Sequence, residues 1–197
     1  RKMIGATDYQ LGNQMLAAKK YEEAIAHFVR HAERVPADAA RAFERAGVAC
    51  QRSNALPSPV EVAPGLTLVS QGNRERAEAF FRLALERAPS HPRSLKGLAS
   101  VLATSSDERC AVLERLVEVQ PDFMALVDLA DFYRSHRKDY ARAHDLYVRA
   151  QNLSPGDRTV HVKLQDICKK LGRPDEAEEW RRSYQVQKTN VPPRPVA

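Results

Sequence analysis

Residues 139–157 read DYARAHDLYVRAQNLSPGD. Ala143 and Tyr147 lie one helical turn apart, and Ala150 follows on the same face. Pro155 then stops the run, because its ring fixes φ and it has no N–H to donate. Asp157, just beyond, has the short polar side chain that begins a new helix. The stretch reads as amphipathic helix, stop and restart.

The same punctuation recurs on both sides. Pro36, Pro89 and Pro121 each follow an amphipathic run and are followed by a capping candidate, Asp38, Ser90 and Asp122. Pro121 to Pro155 is 34 residues, Pro89 to Pro121 is 32, and Pro36 to Pro89 is 53, one 34-residue period with 19 residues added. The small-then-aromatic pair returns at Ala24/Phe28 and Ala77/Phe81, again 53 apart, and Ala143 to Ala177 is 34. A period of this size marks an array of helix hairpins, each too small to bury its own apolar face without stacking on the next. The pattern predicts helices over 4–18, 21–34, 38–52, 73–88, 91–104, 106–119, 122–136, 139–153, 157–171 and 173–187.

At these residues the chain resembles the tetratricopeptide repeat family. The first repeat carries Leu11-Gly12, Ala24, Phe28 and Pro36, and the fourth carries Ala143, Tyr147, Ala150 and Pro155. The resemblance covers residues 4–187, in about five repeats. It implies an all-α, right-handed superhelical solenoid of antiparallel helix hairpins, a single repeat domain over 1–187. Small residues are expected where helices cross, with Gly12 opposite Ala24 and Ala46 opposite Ala77, and aromatics between hairpins. The sequence departs from the family at its usual tryptophan slot, which holds Asp8, Ala42, Leu95, Val127 and His161. The third repeat is two residues short, and the fifth has Arg181 where an aromatic is usual, with Trp180 beside it.

Two segments stand outside the period. The 19 added residues fall within 53–72, where Pro57, Pro59 and Pro64 forbid a helix and alternating branched residues suit an extended arm or a small hairpin. Val60, Val62, Leu66 and Leu68 are candidate contacts there to a partner or a second copy of the chain, against a tolerated surface insertion. The proline-rich stretch 188–197 reads as a tail or linker, with a polyproline-type ligand at Pro192–Pro195 as the alternative.

Composition narrows the function. The 197 residues are 43% hydrophobic and 28% charged, with no apolar run long enough to span a bilayer. The start, Arg1-Lys2-Met3-Ile4, lacks the apolar core of a signal peptide and suits a processed or excised piece. Cys50, Cys110 and Cys168 are far apart, without a Cys-x-x-Cys pair, which suits small buried hydrophobes in the cytoplasm or another reducing compartment. The net charge of +6 is spread among acids and favours acidic partners. His27 and His31 lie four apart, but no glutamate follows His27 and no third ligand is evident, so no metal is expected. There is no glycine-rich phosphate loop and no nucleophile motif. Neither a cofactor nor an enzymatic activity is expected.

In the family, the first helix of each repeat lines a concave surface on which peptides or helices lie. The resemblance therefore implies inward positions at Tyr9, Asn13 and Leu16, then Phe43 and Gly47, then Arg93, Lys96 and Ser100. Asp128 and Phe132 follow, then Val162, Asp166 and Lys169. The expected function is a scaffold or adaptor for protein–protein interaction and complex assembly. The subclass that clamps chaperone tails needs a Lys and Asn pair, an Asn, and a Lys and Arg pair in successive repeats. Tyr9, Asn13 and Glu44 hold the first of those slots, so that activity is not expected. Three alternatives stay open. One is the regulatory repeat domain of a larger enzyme. Another is RNA association through Arg134, His136, Arg137, Lys138 and Tyr140. The third is self-association through open repeat ends, against which the last helix is polar.

Overall fold

The computed structural model describes residues 7–53, 60–63, 66–68, 73–155 and 157–189. Its helices are α1 Asp8–Ala17, α2 Tyr21–Arg34, α3 Ala39–Arg52, α4 Asn73–Arg87 and α5 Pro92–Val101. They continue with α6 Asp107–Val119, α7 Phe123–Phe132, α8 Tyr140–Leu153, α9 Arg158–Lys170 and α10 Pro174–Thr189. A 3-10 turn at Pro36–Asp38 leads into α3, and a π-helical turn at Tyr133–Arg137 ends α7. The repeat pattern thus predicts every one of these helices, most to within two residues at either end.

The helix starts are chemically distinct. Thr7 and Gln10 form a reciprocal capping box on α1. Asp122 and Asp157 cap α7 and α9 as the sequence predicts, Asp122 accepting from the N–H groups of Met124 and Ala125 and Asp157 from that of Thr159. Asp38 and Ser90 do not cap. Asp38 instead lies with its Oδ2 3.0 Å from His31 Nε2, and α5 begins after His91 with Pro92 in its first turn, which needs no N–H partner.

By compactness the chain divides into two units, Arg1–Arg115 and Leu116–Ala197. In the first, α1 packs on α2, α2 on α3, α3 on α4 and α4 on α5, and α3 also touches α5. In the second, α7, α8, α9 and α10 pack in succession. Short turns make successive helices antiparallel hairpins. The 53–72 insertion separates the helices of the α3–α4 hairpin without preventing them from packing. It contains a small antiparallel hairpin, β1 Val60–Ala63 with β2 Leu66–Leu68, paired Val60 to Leu68 and Glu61 to Thr67. β1 lies near α2. The side chains of Val60, Val62, Leu66 and Leu68 lie outside the described residues, as does the tail from residue 190.

The core of the first unit adds an aromatic to the small residues expected at the helix crossings. Ala24, Ala46 and Ala77 are fully buried, as helix crossings require. Gly12 makes room for the Phe28 ring: a Cβ added at Gly12 would sit 2.7 Å from it. Gly47 and Gly97 do the same for Phe81, at 2.7 Å for Gly47 and closer still for Gly97. One fully buried ring on α4 is therefore seated against glycines on both α3 and α5. In the second unit, His161 occupies the tryptophan slot, buried, with Trp180 edge-on at 5.5 Å and Ser183 Oγ at 3.1 Å.

Candidate functional site

The first helices of the first unit, α1, α3 and α5, are joined by side-chain bonds. Arg45 on α3 donates from Nε and a terminal nitrogen to Asn13 Oδ1 on α1, at 3.1 and 2.5 Å. Asn13 in turn donates to the Tyr9 carbonyl at 2.9 Å, which fixes the amide orientation. The Arg41 guanidinium lies 4.8 Å from the centre of the Tyr9 ring, a cation–π distance. Gln51 at the end of α3 donates to Ser100 Oγ on α5 at 2.8 Å. Arg93 and Lys96 are exposed on α5. Among the described residues, Arg41, Arg45 and Arg93 have no carboxylate partner. A cleft of about 630 Å³ adjoins this row, lined by Gln51, Arg74, Ser100 and Thr104 among others.

The structure thus ties Tyr9 and Asn13 to α3 through Arg45, and Ser100 to α3 through Gln51, and adds Arg41, Arg45 and Gln51, which the resemblance did not point to. Their signal was available: Arg41 and Arg45 are four apart on α3, one turn of a single face. Three expected positions do not line a surface. Phe43 is 5% exposed and stacks on Phe80 at 6.4 Å, Gly47 is buried beneath Phe81, and Leu16 is buried. Phe43 and Gly47 are taken into the core because α3 packs against α2, α4 and α5, and Leu16 because α1 packs on α2.

In the second unit, Phe132 is 3% exposed and stacks on His136 at 5.1 Å, so it too is a packing residue. Asp128 is half-buried, Val162 and Lys169 are exposed, and Asp166 pairs with Lys170 at 2.9 Å. The basic cluster near the π-turn is partly engaged. Arg134 pairs with Asp131 at 3.2 Å, Arg137 lies over Phe132 at 5.9 Å, and Lys170 lies over Tyr140 at 5.2 Å. His27 and His31 do not converge: His27 Nδ1 lies 3.0 Å from Asp8 Oδ1, while His31 faces Asp38.

Two polar clusters in the second unit had no signal in the sequence, because each joins residues from three helices. Asp131 accepts from Tyr147 Oη and Lys163 Nζ, both at 2.6 Å, linking α7, α8 and α9. Burial pushes the Asp131 carboxyl up, but the bonds from Lys163 and Tyr147 outweigh it and hold the group below the usual carboxylate range. Burial, reinforced by Asp131, pushes the Tyr147 phenol up. In the other cluster, His144 on α8, Cys168 on α9 and Glu176 on α10 place one ligand atom each within 4.8 Å of one another. Burial, with Glu176 adding to it, pushes the Cys168 thiol up to about 11.

Comparison with known proteins agrees with this architecture. The tetratricopeptide repeat model matches residues 65–91, a stretch that contains α4. Among solved structures, residues 41-end of MamA from Desulfovibrio magneticus RS-1 are similar at 17% identity, with a TM-score of 0.66 over 94% of this chain and 96% of that one. A crystal structure of MamA protein matches with a TM-score of 0.69 at 13% identity, over 96% and 94% of the two chains. No curated protein sequence matches the chain. At these identities the likeness concerns the fold. The 34-residue period, the hairpin packing and the solved structures agree on a fold of stacked helix hairpins, within which residues 65–91 match a tetratricopeptide repeat.

Proposed function

We propose that the chain is a protein-binding scaffold that holds an acidic peptide or helix against the row formed by α1, α3 and α5. The observation that carries this is the bonded alignment of Tyr9, Asn13, Arg41 and Arg45, with three guanidinium groups that no carboxylate of the described residues neutralises. Arginine and tyrosine concentrate binding energy because they give large rigid contact at low entropic cost. A guanidinium fork meets a carboxylate through two parallel charge-assisted bonds, so acidic side chains or a C-terminal carboxylate fit this row. Because the arginines are at least partly exposed, attraction to such a partner weakens as salt rises.

The repeat domain of this proposal spans 1–187, and it performs no reaction of its own. Among the described residues no helix is long and apolar enough to cross a membrane. The test is capture from a native extract followed by cross-linking and mass spectrometry, with the wild type against a folded Tyr9→Ala, Arg41→Glu, Arg93→Glu variant. The proposal expects a partner cross-linked to α1, α3 or α5 in the wild type and lost in the variant. The same partners with the same cross-links in both would overturn it.

A further inference from the structure

The structure assigns a zinc site to the second unit, built by His144 of α8, Cys168 of α9 and Glu176 of α10, with a fourth position for water. Three donors of different chemistry converge there from three helices. His144 Nε2 lies 2.7 Å from Glu176 Oε1, and all three ligand atoms fall within 4.8 Å of one another. Glu176 is the shared partner: it bonds to His144 Nε2 and also interacts with the Cys168 thiol.

The donor set selects the metal. A thiolate, an imidazole and a carboxylate oxygen together suit zinc, whereas magnesium and calcium take oxygen ligands alone. Bonds of about 2.0–2.3 Å in a tetrahedron set ligand atoms about 3.3–3.7 Å apart. The His144–Glu176 pair, at 2.7 Å, opens by under about 1 Å to reach that spacing, and a pair near the 4.8 Å limit closes by about 1 Å. His144 and Cys168 are buried and held by their helices, while the Glu176 side chain is 31% exposed in the first turn of α10. Of the three ligands, Glu176 has the most room to adjust.

Charge and surroundings also fit. One thiolate and one carboxylate balance the divalent ion, leaving the buried centre neutral. Two of the three ligands have a charged neighbour at their other atom, of the kind that orients metal ligands. His144 Nδ1 lies 3.5 Å from Asp145 Oδ1, which leaves Nε2 as the coordinating nitrogen. Arg173 sits 3.4 Å from Glu176 Oε2, the oxygen that faces away from His144, so it supports monodentate binding through Oε1. Binding zinc would displace the Cys168 proton to solvent and tie the last hairpin to α8.

The test uses the full chain, purified without a histidine tag and stripped with a chelator. Zinc is titrated in competition with a chromogenic chelator, and cobalt is used as a spectroscopic substitute. The expected result is one equivalent of zinc, with cobalt giving tetrahedral d–d bands and a near-ultraviolet thiolate charge-transfer band. Cys168→Ala should abolish that band and, like His144→Ala, weaken zinc binding at least about 100-fold. Glu176→Gln, at a partly exposed position, keeps the fold while removing the anionic ligand, and should weaken binding as well. No stoichiometric binding, or binding unchanged in Glu176→Gln and in whichever other variant folds, would overturn the assignment.

Discussion

Gly97→Ala separates local helix preference from packing. Gly97 lies inside α5, where alanine is favoured over glycine by about 1 kcal/mol, so propensity alone predicts a more stable protein. The added methyl carbon would meet three carbons of the Phe81 ring, all closer than 3.0 Å, where ordinary contact begins at 3.4 Å. The ring must therefore move by about 1 Å, and it is fully buried with Gly47 of α3 bounding it as well. Overpacking of this kind costs about 1–3 kcal/mol, and contact on two helices puts this case at the upper end. Less the propensity gain, Gly97→Ala should destabilise by about 2 kcal/mol in urea denaturation. Phe81→Leu should relieve the overlap, so that the double variant is more stable than the sum of the single effects by about 1 kcal/mol or more. Gly172→Ala is the control. Its φ of +71° costs about 1 kcal/mol through the backbone, with no neighbour within 4 Å to couple to. A stabilised Gly97→Ala, or strict additivity with Phe81→Leu, would refute the packing account.

Arg76 is fully buried on α4 and donates to both Glu22 carboxylate oxygens on α2 at 2.9 Å, while its Nε has no hydrogen-bond partner. Arg76→Ala should cost about 3 kcal/mol, whereas Arg76→Met with Glu22→Gln should stay within about 1 kcal/mol of wild type, both read from urea midpoints. Asp131 makes a pH-dependent contribution: its folded pKa lies below the ordinary 3.8, so its stabilisation is present above that value and is lost as pH falls through the folded pKa. The stability gap between wild type and Asp131→Asn should accordingly be level above about pH 5 and close in more acid solution; a gap that widens with acid would contradict the sign of the shift.

Much of the fold was legible because proline stops and one-turn periodicity are local physics. Pro36, Pro89, Pro121 and Pro155 mark the ends of helices whatever those helices pack against. Asp122 and Asp157 cap for the same local reason, while Asp38 does not, because a tertiary partner, His31, takes its carboxylate. The site was legible only in part. Tyr9 and Asn13 follow from repeat position, but Phe43 and Phe132 obey the same positional rule and are buried. Repeat position fixes which side of a helix a residue takes, not whether a neighbouring helix covers that side. The clusters around Asp131 and Cys168 were beyond sequence reasoning, since their members come from three helices each and share no spacing.

The central claim is that the row of first helices in the first unit binds a protein partner through tyrosine and arginine. It is tested most directly by measuring the affinity of a captured partner, or of its cross-linked peptide, for wild type and for Arg41→Glu, Arg93→Glu at two salt concentrations. The account predicts at least a tenfold loss in the variant, about 1.4 kcal/mol, and a salt dependence in the wild type that the variant lacks. Equal affinity and equal salt dependence in the two proteins would contradict it.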